Sequence, residues 1–257
     1  TTYTKADAAF AINHDGTETH QSLVATISQA EGEAGADLAN IAGDILISAL
    51  FTQSQTFVGN LNGKAAEVAD SITLALTAGS NAGTLSFANS NIDASAYTDG
   101  LTVTGTGTTG QFTTGTATSS ISSVGATAIV ATAMADDQTL TTSGDGAATV
   151  TGLQANLTVA DASAADIAVT LAAVATATVA LGTNTTGTKA ITADAMTNGQ
   201  TLTLTGSDAA TLSFVNSDVD ASAYTGALTV TGTGTTGQFT TGTATSSISS
   251  VGATAIV

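Results

Sequence analysis

The chain has 257 residues, 42% of them hydrophobic, but charged residues reach only 9%, against roughly 25% in ordinary globular domains; Pro, Cys, Trp and Arg are absent. Twenty Asp and Glu against three Lys give a formal net charge of −17, which excludes nucleic-acid binding, because phosphates are neutralised by several Lys or Arg, and excludes anionic lipid head groups for the same reason. Without Cys the chain has neither a disulfide framework nor a thiolate metal site.

The first segment, residues 1–68, differs from the rest. It holds all four Glu, both His and two of the three Lys, yet only 8 of the 53 Thr precede residue 71. Leu38, Ile41, Ile45, Leu46, Ala49 and Leu50 recur at three- and four-residue steps, which predicts a helix near residues 36–52. Leu23, Val24 and Ile27 suggest a second, shorter helix, so the expected N-terminal region is α-helical. The longest apolar run, Ile41 to Phe51, carries Asp44 and falls short of the roughly 18 residues that a membrane-spanning helix requires; no membrane insertion is expected. No basic segment followed by an apolar stretch opens the chain, so a Sec-type export signal is not visible.

From about residue 69 the hydrophobic period changes to two. Leu74-Ala75-Leu76, Leu101-Thr102-Val103-Thr104, Leu202-Thr203-Leu204-Thr205 and Leu228-Thr229-Val230-Thr231 each put Leu or Val on alternate positions, the signature of half-buried strands whose other face is largely Thr. Gly79-Ser80-Asn81 and Ser143-Gly144-Asp145-Gly146 supply turns in a chain that lacks Pro.

Internal repetition dominates this part. Residues 84–130 align without a gap to residues 211–257, matching at 42 of 47 positions, and Leu101 to Val130 is identical to Leu228 to Val257. A weaker match relates Ala133–Thr151 to Ala195–Ser213. Together they define three β-repeat units at residues 69–132, 133–194 and 195–257. The predicted fold is therefore mainly β, with a repeat β-solenoid after the helical N-terminal region; tandem small β-sandwiches are the alternative. The solenoid is favoured because aromatic residues make up only 4% of the chain. A separate sandwich of some sixty residues would have a thin core, whereas stacked turns share one that Ala, Val and Thr can fill.

The chemistry-bearing residues are few. Nucleophilic triads need a basic partner beside Ser, and the two His, His14 and His20, lie six apart in an acidic segment with Asp15 and Glu18, so no enzyme is expected. Asp218 and Asp220 are two apart and would project from one face of a strand, where they could share a Ca²⁺; the earlier copy has Asn91 and Asp93 at those positions. Thr-x-Thr pairs at Thr102/Thr104, Thr139/Thr141, Thr201/Thr203 and Thr229/Thr231 raise ice binding as a function class, but they start 37, 62 and 28 residues apart, whereas a flat array needs one pair per turn. Gly105-Thr106-Gly107 follows a strand but precedes β sequence rather than a helix, unlike a dinucleotide loop.

The Thr/Ala/Gly/Ser bias, the scarcity of Lys, the acidic charge and degenerate tandem repeats such as Leu101-Thr-Val-Thr-Gly-Thr-Gly-Thr-Thr-Gly110 resemble the surface-layer proteins and large repeat adhesins that Gram-negative bacteria export by type I secretion. The resemblance implies a β-solenoid, Ca²⁺-dependent assembly into a lattice or filament, an N-terminus that loses only Met, and an export signal at a C-terminus beyond this sequence. The expected role is that of an extracellular, cell-surface structural subunit whose partners are copies of itself, with an adhesin stalk as the alternative and an ice-binding solenoid as a third.

Overall fold

The computed structural model describes residues 24–25, 46–49, 55–58, 67–68, 73–77, 82–89, 91–160, 166–182, 187–250 and 255–257. Compactness divides the chain into two units, residues 1–128 and 129–257. The first contains β1 (Val24–Ala25), β2 (Leu46–Ala49), β3 (Gln55–Val58), β4 (Glu67–Val68), β5 (Thr73–Thr77), β6 (Gly83–Phe87), β7 (Asn91–Ala96), β8 (Leu101–Gly105), β9 (Gln111–Thr113) and β10 (Ser119–Ser123). Strand β11 (Thr127–Val130) spans the boundary. The second unit continues with β12 (Thr139–Ser143), β13 (Ala148–Leu153), β14 (Asn156–Val159), β15 (Ile167–Leu171), β16 (Thr176–Leu181), β17 (Lys189–Ala193) and β18 (Thr201–Gly206), then β19 (Ala210–Phe214), β20 (Asp218–Asp220), β21 (Leu228–Gly232), β22 (Gln238–Thr240), β23 (Ser246–Ser250) and β24 (Ala255–Ile256).

Each unit is a parallel β-solenoid. Within each unit, even-numbered strands pair with one another in one sheet and odd-numbered strands from β3 onward in a second, so that each turn contributes one strand to each; β1 instead joins the even-numbered sheet beside β2. In the first unit Thr102 partners Ser120, 18 residues on; in the second the spacing runs from 17, Thr139 to Asn156, to 25, Thr176 to Thr201. A repeat unit of 62–64 residues thus covers about three turns. Sandwich domains are built from antiparallel sheets, so the parallel pairing decides between the two predicted architectures in favour of the solenoid.

The alternation read from the sequence is the alternation observed. In β8, Leu101, Val103 and Gly105 are buried while Thr102 is exposed, and β21 repeats this with Leu228, Val230 and Gly232 inside. The near-identical copies build near-identical interiors. Leu101 and Leu228 are each 2% exposed and Phe112 and Phe239 each 0%. Phe87 stacks on Phe112 with ring centroids 6.4 Å apart at 29°, and Phe214 on Phe239 at 6.2 Å and 27°. Each pair links a strand of one sheet to a strand of the other across the core, giving the few aromatic rings of a narrow interior their offset contact.

Corner geometry rests on small and amide residues. A Cβ at Gly107 would strike the Ala88 carbonyl one turn away, so the Gly-x-Gly is a point of close approach between turns. Gly206 has φ of 110°, open only to Gly, and a Cβ there would meet the Leu181 carbonyl. The Asn89 side-chain oxygen accepts the Thr108 and Thr109 N–H groups at 2.9 and 3.3 Å. Its copy, Asn216, accepts the Thr235 N–H at 3.0 Å and the Thr236 hydroxyl at 3.3 Å.

The helices predicted for the N-terminal region find no support. The helix expected at 36–52 lies mostly outside the described residues, but Leu46–Ala49 within it forms strand β2, and Val24–Ala25 of the second expected helix forms β1, paired in parallel with Leu46 and Ile47. No helix occurs among the described residues. A short apolar run containing Ile fits a buried strand as well as one face of a helix, and strand pairing decided between them.

Truncating one ring of a stacked pair should leave a cavity that the facing sheets cannot close. Phe112→Ala and Phe239→Ala should each cost about 3–5 kcal/mol. Urea unfolding followed by circular dichroism should give losses of similar size for the two, as expected for equivalent core positions.

Candidate functional site

The predicted cation ligands occupy outer strand faces. On β20, Asp218 and Asp220 flank buried Val219 and lie on the same outward face, as their spacing requires. The adjoining strands set Thr201 and Thr203 beside them on one side and Thr240 beside Asp220 on the other. Each carboxylate already has a structural task. One Asp218 oxygen accepts the Gln238 N–H of the next turn at 3.1 Å. One Asp220 oxygen accepts the Ser222 N–H at 2.9 Å, and hydrogen bonds from the Ser222 side chain and backbone hold its carboxyl below the usual range.

In the first unit, Asn91 and Asp93 face outward around buried Ile92, and Asp93 accepts the Ser95 N–H at 3.0 Å, the same turn as Asp220 makes. Among the described residues no three or more His, Asp or Glu side chains form a group that could hold a metal ion. A Ca²⁺ at Asp218 and Asp220 would draw the rest of its six to eight oxygens from neighbouring hydroxyls, water or another molecule. His14, His20, Asp15 and Glu18 lie outside the described residues.

A charged cluster in the second unit was not anticipated. Lys189, the only cationic residue beyond Lys64, opens β17 and is 2% exposed; Asp208 is 6% exposed. The ammonium donates to the Gly187 carbonyl at 3.1 Å. Burial pushes it below its ordinary 10.5, opposed by the charges of Asp208 and Asp166. Asp166 in turn accepts the Thr188 N–H at 2.7 Å and the Thr188 hydroxyl at 2.9 Å, bonds that lower its carboxyl. The Tyr224 hydroxyl donates to the Asp208 carbonyl, and burial, assisted by the Asp208 charge, raises the phenol well above its usual value. The signal in the sequence was a solitary Lys inside an alternating strand, but its partners are brought to it by turn-to-turn register.

The strand faces carry the most regular pattern. On the odd-numbered strands β15 to β23 of the second unit, one outward column runs Ala168, Ala190, Thr211, Thr229, Ser247. A second runs Thr170, Thr192, Ser213, Thr231, Ser249 through the same unbroken pairings. No position in either column ionises, and seven of the ten are exposed rather than half-buried. The first unit repeats the motif on β6, β8 and β10 as Thr84, Thr102, Ser120 and Ser86, Thr104, Ser122.

On the even-numbered strands of the second unit, four successive turns present the outward pairs Thr139/Thr141, Asn156/Thr158, Thr178/Ala180 and Thr203/Thr205 before Asp220, opposite Thr203, interrupts the first column. Outward pairs thus occur on successive turns here, although Asn156 and Ala180 leave the two middle turns without a Thr-x-Thr pair. No protein-family model matches the chain, and no curated protein or solved structure matches it significantly.

Removing one member of the Lys189–Asp208 pair should be costly. Asp208→Ala leaves a buried ammonium without its main counter-charge and should cost about 3 kcal/mol at neutral pH. Because the folded-state Lys189 lies below 10.5, the unfolded chain binds more protons between that value and 10.5, so stability from this group rises with pH through the window. The variant should recover part of its loss as pH approaches 10.5, as measured by denaturation midpoints, while Asp208→Ala/Lys189→Met should show no such recovery.

Proposed function

We propose that this chain is an extracellular structural subunit of a bacterial cell surface that assembles with copies of itself into a layer or filament. The observation that carries this reading is an uncharged Thr/Ser/Ala strand face, continuous over five turns, on a molecule of net charge −17. From residue 73 onward eleven Asp and no Glu stand against one Lys, which is buried. Copies of such a chain repel one another through carboxylates and approach most readily through the strand columns that have none, with Asp166 and Asp194 at their margins. Divalent cations weaken the repulsion, and Asp218/Asp220, with Asn91/Asp93 in the earlier copy, are the oxygen pairs on which Ca²⁺ would act. The resemblance in composition and repeat style to exported surface-layer proteins and adhesins points the same way.

A second reading, ice binding, is supported by the four-turn array of paired outward side chains from Thr139/Thr141 to Thr203/Thr205. Strand neighbours about 4.8 Å apart and alternate residues about 6.6 Å apart would space the six Thr hydroxyls of this array regularly, with Asn156 and Ala180 interrupting them.

The purified chain in millimolar Ca²⁺ should form ordered assemblies in negative-stain micrographs that dissolve in chelator. Monomers in both conditions would point to an adhesin stalk. Thermal hysteresis of freezing in a monomeric sample would move the assignment to ice binding.

A further inference from the structure

We infer that the turn leading into β18 is a site of covalent self-modification, at which Asn198 reacts with the Gly199 backbone and converts to an aspartyl or isoaspartyl linkage. The inference is independent of the self-assembly reading. The turn is closed by the Gln200 N–H, which donates to the Thr197 carbonyl at 3.0 Å, and by the Thr197 N–H, which donates to the Gln200 side-chain oxygen at 2.6 Å. Both central residues, Asn198 and Gly199, are exposed. Gly199 has φ of 82°, and a Cβ placed on it would meet nothing within 4 Å. No described residue engages the Asn198 side-chain amide or the Gly199 N–H.

These are the conditions for closing a five-membered imide. The Gly199 nitrogen gives up its proton to water and bonds to Cγ of Asn198; the Cγ–Nδ2 bond breaks and ammonia leaves. Water then adds to one of the two imide carbonyls and opens the ring, which leaves an aspartyl residue or an isoaspartyl linkage. One water is consumed and one ammonia released, with no oxidant or reductant. A side chain at residue 199 would crowd the closure, and Gly, with no Cβ and a wide choice of φ, does not.

The other described asparagines are kept from this reaction. The side-chain oxygens of Asn89 and Asn216 are occupied by the Thr108 and Thr235 N–H groups at 2.9 and 3.0 Å, and that of Asn156 by the Thr178 N–H at 2.8 Å. Asn91 lies within β7 and is followed by buried Ile92. Among the described asparagines, Asn198 alone combines exposure, a side chain without a partner and a following Gly.

The product also fits the turn. The match of Ala133–Thr151 to Ala195–Ser213 sets Asp136 at the position of Asn198. That copy closes the same turn, with the Gln138 N–H donating to the Ala135 carbonyl at 3.0 Å. A carboxylate at position 198 therefore has a precedent within the molecule, and the conversion adds one negative charge to the −17 of the chain.

The test incubates the folded full-length chain in warm, mildly alkaline buffer and follows its proteolytic peptides by mass spectrometry, with isoaspartate read by enzymatic methylation. The peptide carrying Asn198 should gain about one dalton and become a methyl acceptor, whereas the peptides carrying Asn89, Asn156 and Asn216 should not change. Its rate should lie within about tenfold of that of a free peptide containing Thr197–Gln200. Asn198→Gln, which can close only a six-membered ring, should remove the signal from that peptide. Unfolding the chain in urea should release Asn89, Asn156 and Asn216 and narrow the difference between them and Asn198. An Asn198 peptide that stays unchanged while the free peptide converts would overturn the inference, as would conversion of Asn198 no faster than that of Asn216 in the folded chain.

Discussion

Backbone hydrogen bonding from each turn to the next is the constraint on which the rest of this molecule depends. A strand in a parallel coil has no hairpin partner beside it in sequence; its N–H and C=O groups are satisfied only by strands about twenty residues away on either side. That demand fixes register, and register fixes everything else. Thr102 lies on Thr84 and Ser120 because the backbone does, and Phe112 meets Phe87 because two sheets held in this way leave space for a single layer of side chains. Burial comes from stacking rather than thickness, which is how a chain with so few aromatic residues encloses a largely apolar interior.

Much of this was legible in the sequence, for physical reasons that can be named. Leu-Thr-Val-Thr has one period, and that period has one structural meaning when the apolar positions are inward and the β-branched ones outward. The duplicated segment announced equivalent sites, and Leu101 and Leu228 are equivalent. The poverty of bulky residues favoured a stacked core over separate ones. The length of a turn was less legible, because corners vary in length and contain no Pro to mark them. Treating sequence separation as turn separation therefore hid the paired side chains that run from Thr139 to Thr205. Lys189 and Asp208 escaped notice for a related reason: nineteen positions separate them in sequence, and only the pairing of β17 with β19 places Lys189 opposite Ala210, two residues past Asp208. At Leu46–Ala49 a short apolar run fitted two periods at once, and local sequence alone did not decide between them.

The charges follow the same architecture. Several carboxylates are engaged as acceptors of backbone N–H groups: Asp93 and Asp220 two residues ahead, Asp218 and Asp166 across a turn. Their acidity thus serves local geometry as well as solubility. What remains between them are sheet faces that are polar yet uncharged, formed from hydroxyls and methyl groups in alternation. Such surfaces are compatible with water but hold no counter-ion, so the balance between solvation and contact on them is set by shape and by the ionic strength that screens the carboxylates around them.

The near-identical copies are offset by 127 residues, the distance from Leu101 to Leu228 and from β8 to β21, thirteen strands along the chain, while each unit uses two per turn. Thirteen is odd. The piece that duplication preserved is therefore a strand with its corner, not a whole turn, and the two kinds of strand must be interchangeable in what they ask of a sequence.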